Sequence, residues 1–307
     1  MDDLNIRKSG RAGRITFTRP KALNALSHEM ALAIHDALDG WRDDPQVELV
    51  IIDAEGDRAF CAGGDIAAVY RAGLAGDHAL GQRFFADEYR MNAAIADYRK
   101  PIVAFMGGFV MGGGVGVGGH ASHRIVGDTT QIAMPESGIG LIPDVGGTWL
   151  LSRAPGRIGE YLALTGARMG AGDAIHAGFA DTYLPEDRWP DLIDRLEATG
   201  DLSLIEGGDA PSAPLKTRDL SAFAQDTVAD IIDALEQDGD ARMQDALARE
   251  YRFTYRATQE TDFLEGVRAQ IIDKDRKPRW MSDASPDHVA ALLAPLGAHE
   301  LSWREPA

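Results

Sequence analysis

The sequence predicts an α/β fold built from recurring strand–strand–helix units, followed by a helical C-terminal region. Three observations carry that expectation. Strand-like and helix-like periodicities alternate through the first part of the chain, the mark of helices packed on a mostly parallel sheet. Glycines crowd at strand–helix junctions, most densely between Gly112 and Gly119. From about Glu186 onward, helical patterns separated by polar loops replace the strands. Residues 1–190 are therefore expected to form the α/β core with the functional site, and residues 191–307 the helical region.

Residues 14–18 alternate like an early strand and stop at Arg19-Pro20, because proline cannot donate to a β-ladder. Ser27 opens a helix that reaches Trp41, with Met30, Ile34, Leu38 and Trp41 on one face. Residues 47–53 (VELVIID) form a continuous β-rich run, which reads as a buried parallel strand. A glycine junction at Gly63-Gly64 leads into a short helix ending near Arg71, and a longer helix covers about 80–98. Residues 101–106 read as a buried strand and 123–126 as another. Helices over 157–165 and 171–177 come next, then a short strand within 179–184. Residues 192–196 look helical, and 201–218 form a loop rich in Gly, Asp, Pro and Ser. The helical part continues over 229–235, 243–257, 264–272 with Asp262 as N-cap, and 287–294.

Composition excludes several classes of function. The 307 residues carry 48 acidic and 31 basic side chains, a net charge of −17. Nucleic acid and anionic membrane need a basic face and are excluded as partners. An anionic small molecule is still allowed, since a few local Lys or Arg residues can dominate within a Debye length. No apolar run is long enough to span a bilayer. The start, MDDLNIRKSG, lacks the apolar core of a leader, so a cytoplasmic location is expected. Cys61 is the single cysteine, which leaves no intramolecular disulfide and no multi-cysteine metal site. His120 and His123 are spaced i, i+3 but lack a third ligand, so no metal is expected.

Gly114, Gly116 and Gly119 match G-x-G-x-x-G, the dinucleotide fingerprint. The context does not suit it, because the next strand starts at His123 and leaves no room for a crossover helix. The glycines have two further readings: close packing of helix on strand, or backbone N–H groups aimed at a carbonyl oxygen from junctions near Gly64 and Gly113. Glu136 and Asp144 could be surface loop acids. Their neighbours Met134, Pro135, Ile139, Leu141, Ile142 and Pro143 argue instead for partial burial, which raises a carboxyl pKa and suits proton transfer near neutrality.

These residues resemble the crotonase (enoyl-CoA hydratase/isomerase) superfamily. The matching stretches are 19–26 (RPKALNAL), 59–66 (AFCAGGDI), Met111-Gly112-Gly113-Gly114, Met134-Pro135-Glu136 and Gly146-Gly147-Thr148. Within the superfamily the chain is most similar to the 3-hydroxyisobutyryl-CoA hydrolases. That branch is matched by Phe84-Phe85, Glu88-Tyr89, His120, 142–147 (IPDVGG), 262–269 (DFLEGVRA), 272–275 (IDKD), Pro278 and Trp280.

The resemblance implies a crotonase-like spiral of repeated ββα units and an acyl-CoA substrate, with coenzyme A part of the substrate and no separate cofactor. It implies that the N–H groups of Gly64 and Gly113 hold the thioester oxygen. Glu136 corresponds to the catalytic carboxylate, and Asp144 to its branch-specific partner. Lys21, Ala22 and Leu23, with Ala62, Gly64, Asp65 and Ile66, would line the CoA moiety, and Lys274 would meet a phosphate. Hydratases carry their first catalytic glutamate two residues after the triple glycine, where this chain has Gly116. Hydrolysis of a 3-hydroxyacyl-CoA thioester, as in valine catabolism, fits that departure. Hydration or isomerisation of an enoyl-CoA, and non-catalytic acyl-CoA binding, are the alternatives. The chain looks short against the branch between about 237 and 252. A trimer, as is common in the superfamily, and a monomer are both compatible with the helical tail.

Overall fold

The computed structural model describes residues 3–218, 242–281 and 285–303. A hairpin of β1 (Leu4–Ser9) and β2 (Ala12–Phe17) opens the chain. Helix α1 (His28–Trp41) follows, with the Ser27 hydroxyl accepting the Met30 N–H as its N-cap. Three strand pairs come next: β3 (Leu49–Ala54) with β4 (Ala59–Cys61), β5 (Ile102–Met106) with β6 (Phe109–Met111), and β7 (His123–Val126) with β8 (Gln131–Ala133). Helices α2 (Ile66–Leu74) and α3 (His78–Ala96) follow the first pair, and α4 (Gly113–Gly118) follows the second. Then come α5 (Gly147–Ser152), α6 (Ile158–Thr165), α7 (Ala171–His176), β9 (Thr182–Tyr183) and α8 (Trp189–Thr199). The described C-terminal helices are α9 (Met243–Glu260), α10 (Phe263–Val267) and α11 (Pro286–Leu293).

The first member of each pair joins a six-stranded sheet of order β1-β2-β3-β5-β7-β9, and the second joins a three-stranded sheet of order β4-β6-β8. Apart from the opening hairpin, all ladders in both sheets are parallel. Each pair thus advances the chain by one strand in both sheets at once, which is the ββα spiral of the crotonase fold. Alternate residues explain why the long strands read as unbroken apolar runs. Val50, Ile52, Ile102 and Ala104 face the main core, while Leu49, Ile51, Val103 and Phe105 face a second core capped by Leu192, Ile193 and Leu196 of α8. A sheet covered on both faces has no polar side to show.

The second sheet escaped the sequence reading, because three-residue strands carry too little periodicity to register. The same is true of β1, and of the glycine cluster as a helix, since glycine is a poor helix former. The reason for glycine is steric at Gly114, where a Cβ would lie 2.1 Å from the Cys61 carbonyl oxygen. Helix α4 therefore packs directly on β4, and every residue from Gly113 to Gly118 is buried. Close packing, one of the two readings of this cluster, is realised here.

In the C-terminal part, Leu247, Tyr251, Phe263 and Val267 join the same apolar core as the N-terminal strands. The division at residue 190 stays a proposal about organisation. Asp262 sits at the N-cap position of α10, but its carboxylate accepts the Met281 N–H (2.9 and 3.0 Å) instead of capping the helix. The helix expected over 229–235 lies outside the described residues. So does the part of the apparent shortening that precedes residue 242. No helix among the described residues is long and apolar enough to cross a membrane.

Candidate active site

One wall of the site comes from the stretch between β2 and α1. Pro20–Ala22 makes a single tight turn, and Leu23 and Asn24 follow with φ of 52° and 54°. Left-handed backbone suits asparagine better than most residues, and here Asn24 is pinned by its own side chain. Its Oδ1 accepts the Arg19 N–H (2.9 Å), while its Nδ2 donates to the carbonyls of Glu55 (3.0 Å) and Ala59 (2.8 Å). The chain beyond then runs alongside 62–65. Ala62 N–H donates to the Leu23 carbonyl (3.0 Å), Leu26 N–H to that of Gly63 (2.9 Å), and Asp65 N–H to that of Leu26 (2.8 Å).

This wall borders a cleft of about 1150 Å³. Lys21, Ala22 and Leu23 line it together with Ala62, Gly64, Asp65 and Ile66. Gly113, Glu136 and Asp144 lie along the same cleft, and Lys274 stands at its rim with Trp280. The residues that the resemblance assigns to the site thus all line one cleft. Asp65 is ion-paired with Arg19 at 3.4 Å, while Lys274 is exposed.

The two glycine junctions meet inside the cleft. Gly113 is the first residue of α4, where a helix has no intrahelical partner for its N–H. A Cβ on Gly113 would come within 3.1 Å of the Gly64 nitrogen, so the two amides are neighbours. Neither N–H has a backbone acceptor among the described residues. Two neighbouring N–H groups with no backbone acceptor are the kind of donors that an oxyanion requires.

Acidic side chains surround these donors. Glu136 opens a 3₁₀ turn, Glu136–Ile139, and its carboxyl reaches back to Gly112. A Cβ on Gly112 would lie 2.7 Å from Glu136 Oε1. Glu136 is buried and its Oε2 has no hydrogen-bond partner among the described residues. Burial, and next the charge of Asp144, push its carboxyl well above the ordinary range. Asp144 is buried too and is raised to about 6 by desolvation, against a hydrogen bond from the Tyr89 hydroxyl at 2.7 Å.

Two further acids, Glu88 and Glu250, are buried in the same core. Glu88, on α3, is buried with Oε1 unpartnered, and a Cβ on Gly113 would lie 2.6 Å from that oxygen. Burial and then Asp144 raise it well above the usual carboxylate range. Glu250, on α9, is wholly buried, and desolvation lifts it to about 7. A legible signal existed for both. Each glutamate occupies an apolar-face position of its helix, beside Phe84, Phe85 and Tyr89 in one case and Leu247 and Tyr251 in the other. A charged residue at such a position is buried with a purpose or not at all.

The raised acids predict how stability varies with pH. A carboxyl whose folded pKa exceeds its unfolded value favours folding while protonated, and that contribution is lost as pH rises through the folded pKa. For Asp144 at about 6 and Glu250 at about 7 the window runs from about pH 4 to 7. Glu250 alone, moved from 4.5 to about 7, represents roughly 3 kcal/mol. The thermal midpoint is therefore expected to fall between pH 5 and pH 7, and to fall less in Glu250→Gln. Midpoints measured across that range check this; a flat or rising profile would contradict it.

The geometry can be set beside known proteins. The family described as Enoyl-CoA hydratase/isomerase matches residues 12–245 and 236–293. A relative from Gallus gallus named 3-hydroxyisobutyryl-CoA hydrolase, mitochondrial, is 36% identical over 349 residues, covering 97% of this chain and 90% of the relative. The 3-hydroxyisobutyryl-CoA hydrolase 1 of Arabidopsis thaliana is also 36% identical, over 87% of this chain and 83% of its own. A crystal structure described as an enoyl-CoA hydratase from Rhodobacter sphaeroides 2.4.1 superposes with a TM-score of 0.91. It is 53% identical and covers 98% of this chain and 100% of its own. One described as a carnitinyl-CoA dehydratase from Mycobacterium thermoresistibile gives 0.88 at 37% identity, covering 99% of both chains.

Proposed function

The chain belongs to the enoyl-CoA hydratase/isomerase family, and from that premise we propose that it hydrolyses the thioester of a short-chain 3-hydroxyacyl-CoA, foremost 3-hydroxyisobutyryl-CoA. The observation that carries the reading is where the second acid stands. Asp144, held by Tyr89, lines the cleft with Glu136. Position 116, where the family's hydratases carry a carboxylate, is a glycine facing Asn92 and Val145. The names of the relatives from Gallus gallus and Arabidopsis thaliana point the same way.

In this reading the thioester oxygen accepts the N–H groups of Gly64 and Gly113. Those donors strengthen as charge develops on the oxygen, and each is worth about 3 kcal/mol to the transition state. Glu136 either takes a proton from an attacking water or attacks the carbonyl itself, giving an anhydride that water then opens. The C–S bond breaks and the sulfur leaves with the electron pair. On the water route it takes back the proton that Glu136 removed from water, and on the anhydride route it takes its proton from solvent. Asp144 orients the water or the substrate 3-hydroxyl. Lys21, Ala22 and Leu23, with the backbone from Ala62 to Ile66, cradle the CoA moiety. Lys274 provides local positive charge for a phosphate, and the reaction uses no separate cofactor.

Valine catabolism is the pathway that this substrate implies. A cytoplasmic location belongs to the proposal as well, although the name of the Gallus gallus relative includes the word mitochondrial. Whether the chain acts as a trimer or a monomer is answered by light scattering on the purified protein. A second reading, hydration of an enoyl-CoA, is favoured by the description of the Rhodobacter sphaeroides structure. The two are separated by following free thiol from 3-hydroxyisobutyryl-CoA and 3-hydroxypropionyl-CoA beside the enoyl absorbance of crotonyl-CoA. Thiol release from the hydroxyacyl esters is expected. Loss of crotonyl-CoA absorbance with no thiol from the esters would move the protein to the hydratases.

A further inference from the structure

Asp144 belongs to a turn that the local sequence does not favour. Val145, a β-branched residue, has φ of 55°, and Gly146 follows with 77°. A β-branched side chain in the left-handed region is a genuine outlier and persists only where the surroundings over-determine it. The surroundings here are unusually complete. The Glu250 carboxyl, on α9, accepts the Gly146 N–H at Oε2 (2.8 Å) and the Thr148 N–H at Oε1 (3.0 Å). The Thr148 hydroxyl donates to the same Oε1. In addition, His120 Nε2 lies 2.7 Å from the Val145 carbonyl. A carbonyl can only accept, so that nitrogen carries the proton. Burial lowers the imidazole to about 4, and it remains neutral in this role.

Helix α9 is also linked to the Asp144 carboxylate through Tyr89. Thr254, one turn beyond Glu250, has its hydroxyl 3.2 Å from the Tyr89 oxygen, and Tyr89 donates to Asp144 Oδ2. One helix face therefore supports the backbone on one side of Asp144 and the partner of its carboxylate.

We infer that Glu250, assisted by Thr254, is a positioning residue that fixes the direction of the Asp144 carboxylate in the cleft. The inference rests on the reading of Asp144 as an acid of the hydrolytic site. Glu250 does not line the cleft, so it acts on the reaction only through the turn. Without the clamp, Val145 relaxes toward ordinary backbone and Asp144 swings off the reacting atoms. A misplacement of about 1 Å in such a group is enough for a loss on the order of 10²-fold.

The test is steady-state thiol release from 3-hydroxyisobutyryl-CoA by the full chain carrying Glu250→Gln. Glutamine keeps one acceptor but turns an NH₂ toward a backbone donor, so the turn loosens with little change in volume. A kcat lower by about 10²-fold, with KM within a few-fold of the native value, is expected, because the CoA wall is untouched. Native kcat, or kcat and KM worsening together, would overturn the inference. Should that variant not fold, Thr148→Val carries the test, since it removes only the hydroxyl donor to Glu250. A several-fold loss in kcat at constant KM supports the clamp, and unchanged kcat refutes it. Asp144→Asn is run in parallel. Native turnover in that variant would overturn the role of Asp144 itself, whereas a dead Asp144→Asn beside a native Glu250→Gln would remove only the clamp.

Discussion

Glu136→Gln is expected to lower thiol release from 3-hydroxyisobutyryl-CoA by about 10³-fold or more, while binding of the CoA ester stays within a few-fold of native. The side chain is buried at the donor pair, with one carboxyl oxygen free of any partner among the described residues. Its oxygen is therefore available to a substrate or to water. Glutamine preserves size but can neither take a proton nor form an anhydride. Loss of a general base alone accounts for about 10²–10⁴-fold, and loss of a nucleophile for more. Lys21, Ala22, Leu23 and Lys274 line the cleft independently of this residue, so affinity should survive. Binding measured by calorimetry, beside turnover by a thiol reagent, checks both halves. A variant that keeps a tenth of native turnover would remove Glu136 from the chemistry.

Gly116→Glu is expected to destabilise the protein strongly and not to create a hydratase. The substitution places a carboxylate where the family's hydratases have one, so sequence reasoning alone makes it a plausible switch of activity. In this structure the space is filled. A Cβ there would lie 2.7 Å from Asn92 Nδ2 and 2.9 Å from Val145 Cβ. Asn92 is on the buried face of α3, and the left-handed turn at Val145 is held by Glu250 and His120, so neither yields cheaply. Overpacking in such a core costs about 1–3 kcal/mol, and a buried unpaired carboxylate adds several more. At about 2–4 °C per kcal/mol, the thermal midpoint should drop by about 10 °C or more. A folded variant that hydrates crotonyl-CoA would show that the site accepts hydratase chemistry, and would favour that reading for the native protein.

The stretches of sequence that told most were those where chemistry and spacing are local. Ser27 as a cap, the apolar stripe of α1 and the unbroken runs of β3 and β5 depend on neighbours within one element. Glu136 and Asp144 stood out because apolar residues surround them in the chain itself. Glu88 and Glu250 were visible only as acids at apolar helix positions, and their partners were not visible at all. The three-residue strands β4, β6 and β8 left no pattern to read, although their ends present Gly64 and Gly113 to one another.

The sequence by itself determined the alternation of long strands with helices, the glycine junctions and the acids that resemble a CoA-thioester site, because periodicity, turn chemistry and motif order are properties of contiguous residues. Only the tertiary structure decided that the Gly64 and Gly113 amides are adjacent. It alone decided that Tyr89 reaches Asp144 across 55 residues and that Glu250 clamps Gly146 across 104. Burial, and with it the raised carboxyl pKa values, also follows from what each side chain is packed against. Those quantities depend on distances between residues far apart in the chain, which are fixed when the two sheets and helices α3, α4 and α9 close around one core.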